Sequence, residues 1–392
     1  MIKDDLFAYI DSISDRLTAM SDAIFDRPET AFEETFAAGL LTDFLAERGF
    51  DVQLGLGSLG TAFRASFEIG EGGPVIGLLC EYDALVGMGH GCAHQMQGPA
   101  ILGAADALRA CAERAGGPAS RIVVYGTPGE EGGGGKVTML REGFLRDIDV
   151  ALMMHGGPAT QTDVKSMALQ SFEVEFHGRS THAALKPEEG RSALDALLLA
   201  IQGLEFMREH VRDDTRMHYT IKDAGGPANV VPARAVGSFV LRSYSSVYLD
   251  ELCVRFADIA KGAALMTGTT GEVRSVQRLE SKVPVPLLNE ILMRNADLVD
   301  APNRKPAREK TGSTDFGNVM YVLPGAVIRL AFVPDGTSSH SQEFLDAGKS
   351  EAGHAAVIYA AKILAGASFD LIENPGLVNE AKREFDEAKK KL

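Results

Sequence analysis

Residues 75–125 read VIGLLCEYDALVGMGHGCAHQMQGPAILGAADALRACAERAGGPASRIVVY. An apolar run, Val75 to Cys80, gives way to a polar loop rich in glycine. Gln97 to Ala115 then has helical periodicity and is stopped by Gly116-Gly117-Pro118. A second apolar run, Arg121 to Tyr125, follows. Strand, helix and strand in that order form the repeating unit of a parallel sheet covered by helices. The pattern extends both ways. Residues 4 to 26 and 31 to 48 have helical periodicity, broken by Asp26-Arg27-Pro28-Glu29 and stopped by Gly49. Lys136 to Leu145 reads as a helix, and Val150 to Met154 as a third strand. The expected fold is α/β, with a mostly parallel sheet.

The pattern changes near residue 166. Ala168 to Phe176 alternates apolar and polar, as a half-exposed strand does. Helical and strand-like segments then follow in the order strand-helix-strand-strand-helix-strand, ending at Arg278. That is the split unit of a ferredoxin-like sandwich. The expectation is a discontinuous first domain, residues 1–166 and 279–392, with residues 167–278 inserted as a second. Leu287 to Leu298, Ala326 to Val333 and Ser350 to Ala365 read as helix, strand and helix of the first domain.

Composition narrows the partners. Of 392 residues, 45% are apolar and 24% charged, the proportions of an ordinary soluble protein. Lys plus Arg number 39 against 54 Asp plus Glu, for a net charge of -15, which argues against nucleic-acid binding. The N-terminus lacks the apolar core of a signal peptide, and no run of about 20 apolar residues stands out as a bilayer span. A cytoplasmic protein is expected. Its four cysteines, Cys80, Cys92, Cys111 and Cys253, are too few and scattered for a disulfide framework. Three of them read as packing residues, and Cys92 stands apart.

Four polar clusters follow four apolar strands. They are Glu81-Tyr82-Asp83 with His90-Gly91-Cys92-Ala93-His94, then Glu130-Glu131, then His155, then His340. In open parallel sheets ligands bind beyond the carboxyl ends of the strands, so all four clusters are expected at one edge. Cys92 and His94 would point about 200° apart on a helix, but the same way in an extended loop. Thiolate, imidazole and carboxylate are the donors that transition metals take. Adjacent carboxylates point in different directions, so one of Glu130 and Glu131 can hold metal while the other moves protons. Taken singly, a loop histidine or an acidic turn is usually just solvated; four clusters converging reverse that weighting. His182 could stabilise an oxyanion or bind substrate. His177, His210, His218 and His354 have ordinary settings.

These segments resemble the aminoacylase-like metallopeptidase family, and within it the amidohydrolase branch. The matching stretches are Glu81-Tyr-Asp-Ala-Leu85, His90-Gly-Cys-Ala-His94 and Gly126-Thr-Pro-Gly-Glu-Glu-Gly-Gly-Gly-Gly-Lys136. Others are Gly178-Arg-Ser-Thr-His-Ala-Ala184, Gly226-Pro-Ala-Asn-Val-Val-Pro232 and Gly312-Ser-Thr-Asp-Phe-Gly-Asn318. The resemblance implies two divalent metal ions held by Cys92, His94, Glu131, His155 and His340, with Cys92 bridging. It implies Glu130 as general base and Asp83 orienting the cluster. The inserted domain would be a lid and the interface of a homodimer. His182 would reach a neighbouring subunit's site, and Asn229 and Arg242 would contact substrate. The ligand set permits manganese, zinc, cobalt or nickel. The implied substrate is a small amide: an N-acyl or aminoacyl amino acid, or an aryl amide. Departures at Val86, Gln95 and Gly156 touch the pocket wall but remove no ligand. Hydrolytic deamination of an aromatic amine on the same scaffold, or a non-catalytic metal-binding homologue, are the rival readings.

Overall fold

The computed structural model describes residues 2–391. Strands β1 (Asp51–Leu56) and β2 (Leu59–Ile69) form an antiparallel hairpin, followed by β3 (Val75–Cys80), β4 (Ser120–Gly126), β5 (Val150–Gly157) and β6 (Gln161–Ser166). Next come β7 (Ala168–His177), β8 (Arg216–Asp223), β9 (Arg234–Ser243) and β10 (Thr270–Leu279), then β11 (Arg308–Thr311) and β12 (Gly325–Ala331). They make two sheets, one ordered β1-β2-β4-β3-β5-β12-β6-β11 and one ordered β10-β7-β9-β8. The described chain divides into two compact units, Ser166–Ser281 and the remainder. The sequence suggested residues 167–278 for the insertion. The unit begins one residue earlier and ends three later, because β10 runs on to Leu279 and the Ser281 N–H still donates to Ser246 Oγ, at 2.9 Å.

In the larger unit β4, β3, β5 and β12 are parallel neighbours. Their side chains are buried almost throughout, which is why they read as unbroken apolar runs rather than alternations. On one face Leu79, Val123, Tyr125, Met153, Phe316 and Val327 share a core. On the other, helices Gln97–Ala115 and Glu351–Glu373 pack together over the sheet. The second of these corrects the sequence reading: by length and composition it could cross a bilayer, yet 72% of its apolar window is buried, as in a core helix. β1, at one edge, pairs antiparallel with β2 and is largely exposed, so this hairpin escaped the reading of apolar runs. The helix expected over residues 4–26 is broken at Ile13 into Lys3–Ser12 and Ser14–Asp26. The one expected to reach Leu145 stops at Arg141, where Gly143 and Leu145 turn left-handed.

The smaller unit is an antiparallel sheet with helices Ala193–Arg208 and Ser246–Thr267 on one face. Each helix starts where a serine hydroxyl accepts a backbone N–H: Ser192 from Asp195 and Ser245 from Tyr248. Phe172, Phe176, Phe239 and Phe256 fill its core. The sheet carries ion pairs of Glu173 with Lys222 and Arg274, and of Arg234 with Glu175 and Asp223. In the larger unit, at the two chain positions flanking the insertion, Lys282 Nζ lies 3.2 Å from Asp163 Oδ2. Arg308 and Arg329 join the same carboxylate at 3.0 and 3.1 Å and, with Lys282, hold it well below the usual range against the opposing push of burial.

Candidate functional site

The parallel register puts the ends of β3, β4, β5 and β12 at one edge of the sheet. Four overlapping groups of donors gather there, two of which share Cys92. The ligand atoms of Cys92, His94 and His155 lie within 4.8 Å of one another, and so do those of Cys92, Glu131 and His340. Cys92 belongs to both. Its Sγ is 3.6 Å from His155 Nε2, and Glu131 Oε1 is 3.3 Å from His340 Nε2 and 4.0 Å from His94 Nε2.

Local backbone explains how distant residues converge. The Cys92–His94 segment is not extended, as the sequence suggested. Ala93 is left-handed at φ 62°, and His94 opens a short 3-10 turn. One left-handed residue between them, rather than an extended loop, turns both side chains to one side. His155 lies inside β5 rather than at its end, since the strand continues through Gly156 and Gly157. His340 is also left-handed, at φ 62°, and its N–H donates to Gly91 O at 2.9 Å, tying its loop to the Cys92 loop.

Hydrogen bonds fix the imidazoles. His94 Nδ1 is 3.0 Å from Asp83 Oδ1, and Asp83 Oδ2 accepts the Glu131 N–H at 2.8 Å. Against the opposing push of burial, Cys92, Glu81 and Asp83 raise the His94 pKa well above the ordinary value, so a metal at Nε2 would displace a proton there; Nδ1–H on Asp83 is the carboxylate–histidine arrangement that tunes metal ligands. His155 Nδ1 is 2.8 Å from Gly156 O and 3.1 Å from Arg329 Nη1. Burial and the Arg329 charge push the His155 imidazole down to about 3, so it is neutral and able to donate a lone pair. Among the described residues, His94 Nε2 and Glu131 Oε1 are buried polar atoms without a hydrogen-bond partner. Glu81 Oε2 is only 3.3 Å from His94 Nε2, but without hydrogen-bond geometry. Orphaned donors within a soft-and-borderline ligand set are what a divalent transition metal satisfies. The residues present therefore fit two such ions.

Glu130 lies beside this group. Desolvation in the cleft and the carboxylates of Glu81 and Asp315 push it up to about 8. Behind it the fully buried Lys136 Nζ meets Glu81 Oε1 at 2.6 Å and Asp315 Oδ1 at 2.7 Å. Glu81 Oε2 also accepts from Gln97 Nε2 at 2.7 Å. Against the upward push of burial, Lys136 and His94 hold Glu81 at about 2. This Glu81–Lys136–Asp315 triad went unassigned in the sequence, although all three residues stand in the motif stretches quoted above. A lysine directly after four glycines was the available signal.

His182, Asn229 and Arg242 all belong to the smaller unit. His182 and Val230 form an antiparallel bridge, and the Ala183 N–H donates to Asn229 O at 3.0 Å, so His182 and Asn229 are neighbours there. Both are exposed, whereas Arg242 is half-buried on β9.

A family model described as peptidase family M20/M25/M40 matches residues 81–365. One subunit of the p-aminobenzoyl-glutamate hydrolase of Escherichia coli is 31% identical over 461 residues, covering 98% of this chain and 95% of the relative. The Xaa-Arg dipeptidase of Mus musculus is 33% identical over 394 residues, covering 96% and 90%. A dinuclear metal-binding peptidase of the M20 family from Bacillus subtilis shares the fold with a TM-score of 0.72 at 19% identity, over 93% of this chain and 99% of that one. By the span of the family model and by these relatives, the chain belongs to peptidase family M20/M25/M40.

Proposed function

We propose that this protein is a two-metal amidohydrolase that cleaves the amide bond of an N-acyl or aminoacyl amino acid, or of an aryl amide. The observation that carries the reading is a pair of donor groups sharing the Cys92 sulfur, with Glu130 beside them. Cys92, His94 and His155 would hold one ion, and Cys92, Glu131 and His340 the other. Manganese or zinc suits this mixed set, and cobalt or nickel is compatible. Relatives named for hydrolysing p-aminobenzoyl-glutamate and Xaa-Arg dipeptides support an amide substrate.

When bound, two divalent cations supply Lewis acidity to the carbonyl and make water a better nucleophile at neutral pH. Beside two cations the Glu130 carboxyl would come down from about 8 into the range of a base, and Glu130 then takes a proton from the attacking water and hands it to the leaving nitrogen. The C–N bond breaks, and the products are a carboxylic acid and an amine. Asp83 keeps His94 in the tautomer that can donate from Nε2. His182 steadies the oxyanion, reaching the site of a neighbouring subunit in a homodimer built on the lid. Asn229 and Arg242 contact the substrate carbonyl and a carboxylate. The enzyme works in the cytoplasm. Glu130→Gln tests the scheme. Metal content should stay at two ions per chain while kcat falls about 100-fold or more, the usual share of a general base. Unchanged turnover in that variant overturns the reading.

A further inference from the structure

Phe32 stands on left-handed backbone, at φ 67°. A bulky side chain in that region is an outlier, and such strain persists only where the surroundings over-determine it. Here they do. The Glu29 carboxylate accepts the N–H groups of Phe36 and Ala37, and Glu29 O accepts the Ala84 N–H at 2.8 Å. Thr30 bridges Ala84 in parallel. Past Phe32, buried Glu34 accepts the Gly129 N–H and the Thr61 hydroxyl, both at 2.9 Å. The loop is fastened on both sides of its strained residue, and the fastenings run to the two loops that carry Asp83 and Glu130-Glu131.

The fastening holds the ring in one place. It lies against Gly129 and Gly133, which bracket Glu130 and Glu131. A Cβ at Gly129 would sit 2.7 Å from a ring carbon, and one at Gly133 only 2.1 Å. Two glycines thus make room for the aromatic at the rim of the donor cluster. Yet Phe32 is not a core plug: the residue is 39% exposed, while Phe63 and Tyr82 are fully buried. A packing residue would hide its ring, and a solvated loop would not be fastened so firmly.

Building on the amidohydrolase reading, we infer that Phe32 is a specificity residue whose open ring face receives an aromatic or bulky apolar group attached to the scissile amide. Aromatic rings gain from offset or edge-to-face contact beyond simple burial, and binding clefts for small molecules are lined mainly by apolar and aromatic side chains. The inference adds a side of the pocket that neither the ligand set nor the base defines.

The test uses the metal-loaded full chain and two matched pairs: benzoyl-glycine with acetyl-glycine, and acetyl-phenylalanine with acetyl-alanine. Phe32→Ala and Phe32→Leu should lower kcat/KM about tenfold for the aryl member of at least one pair, mostly through KM. The non-aryl members should change less than twofold, and Phe32→Tyr should retain the preference. An equal fall for both members of both pairs overturns the inference, because a residue that only props the Glu130–Glu131 turn behaves that way. Calorimetric binding of the aryl compounds to the Glu130→Gln protein gives a readout without turnover. Adding Phe32→Ala should raise Kd about tenfold for at least one of them, and an unchanged Kd for both overturns the inference. A wild-type holoprotein that hydrolyses none of the four, yet binds an aryl compound through Phe32, defeats the amidohydrolase reading alone.

Discussion

Replacing Lys136 with methionine removes the cation shared by Glu81 and Asp315 while keeping the length of the side chain. Lys136 is fully buried, its ion pairs are 2.6 and 2.7 Å long, and against the downward push of burial Asp315 and Glu81 raise its pKa well above the ordinary lysine value. Breaking a buried pair by removing one partner costs about 3–5 kcal/mol, because the charge left behind has no compensation. With about 2–4 °C of Tm per kcal/mol for domains of a few hundred residues, the melting point should fall by about 6–20 °C. The assay is thermal unfolding followed by circular dichroism, with chelator present so that metal binding does not enter. The triple variant Glu81→Gln, Lys136→Met, Asp315→Asn removes the stranded charges as well and should recover more than half of the loss. A Lys136→Met protein melting within about 2 °C of wild type would refute the reasoning, as would a triple variant no more stable than the single one.

Gly133→Ala drives a methyl into the Phe32 ring, so it should destabilise by about 1–3 kcal/mol, and combining it with Phe32→Ala should restore most of that. Additive losses in the double variant would show that the ring is not what the glycine accommodates. Cys92→Ala should drop metal content, measured by elemental analysis, from two ions per chain to one or none; retention of both argues against a bridging sulfur. Glu81 has a folded pKa of about 2 against an ordinary 4.5, so its contribution is complete above pH 4.5 and fades as pH falls toward 2. Urea unfolding at pH 5 and pH 3 should therefore show a smaller loss on acidification for Glu81→Gln than for wild type. Equal losses would mean that the carboxylate is not held down in the folded protein.

The central strands were legible because both faces of β3, β4 and β5 are covered, which makes each an apolar run between polar loops. The split order of the inserted unit was legible because a half-exposed sheet alternates, as Ala168 to Phe176 does. The donors were visible through motif and through their positions after those strands. What escaped depends on non-local pairing or on single dihedrals. Nothing in the letters around Ala93, Phe32 or His340 announces a left-handed backbone, since none of them is glycine. Lys136 and Asp315 are 179 positions apart, and only the folded chain shows one to be the other's counter-ion. The β1–β2 hairpin was missed because its outer strand is largely solvated and carries no periodic apolar signal.

The carboxylate at Asp163 and the ammonium at Lys282 meet just before the chain leaves the larger unit and just after it comes back. The exit and the return are thus tethered to each other, and 116 residues from Ser166 to Ser281 fold around a hydrophobic cluster of their own in between. Insertions with adjoining ends are the kind that can be swapped or shortened without disturbing their host. Splicing Lys165 to Lys282 through a brief flexible connector should therefore leave the eight-stranded sheet and its donor cluster assembled, as a minimal frame onto which other caps could be grafted.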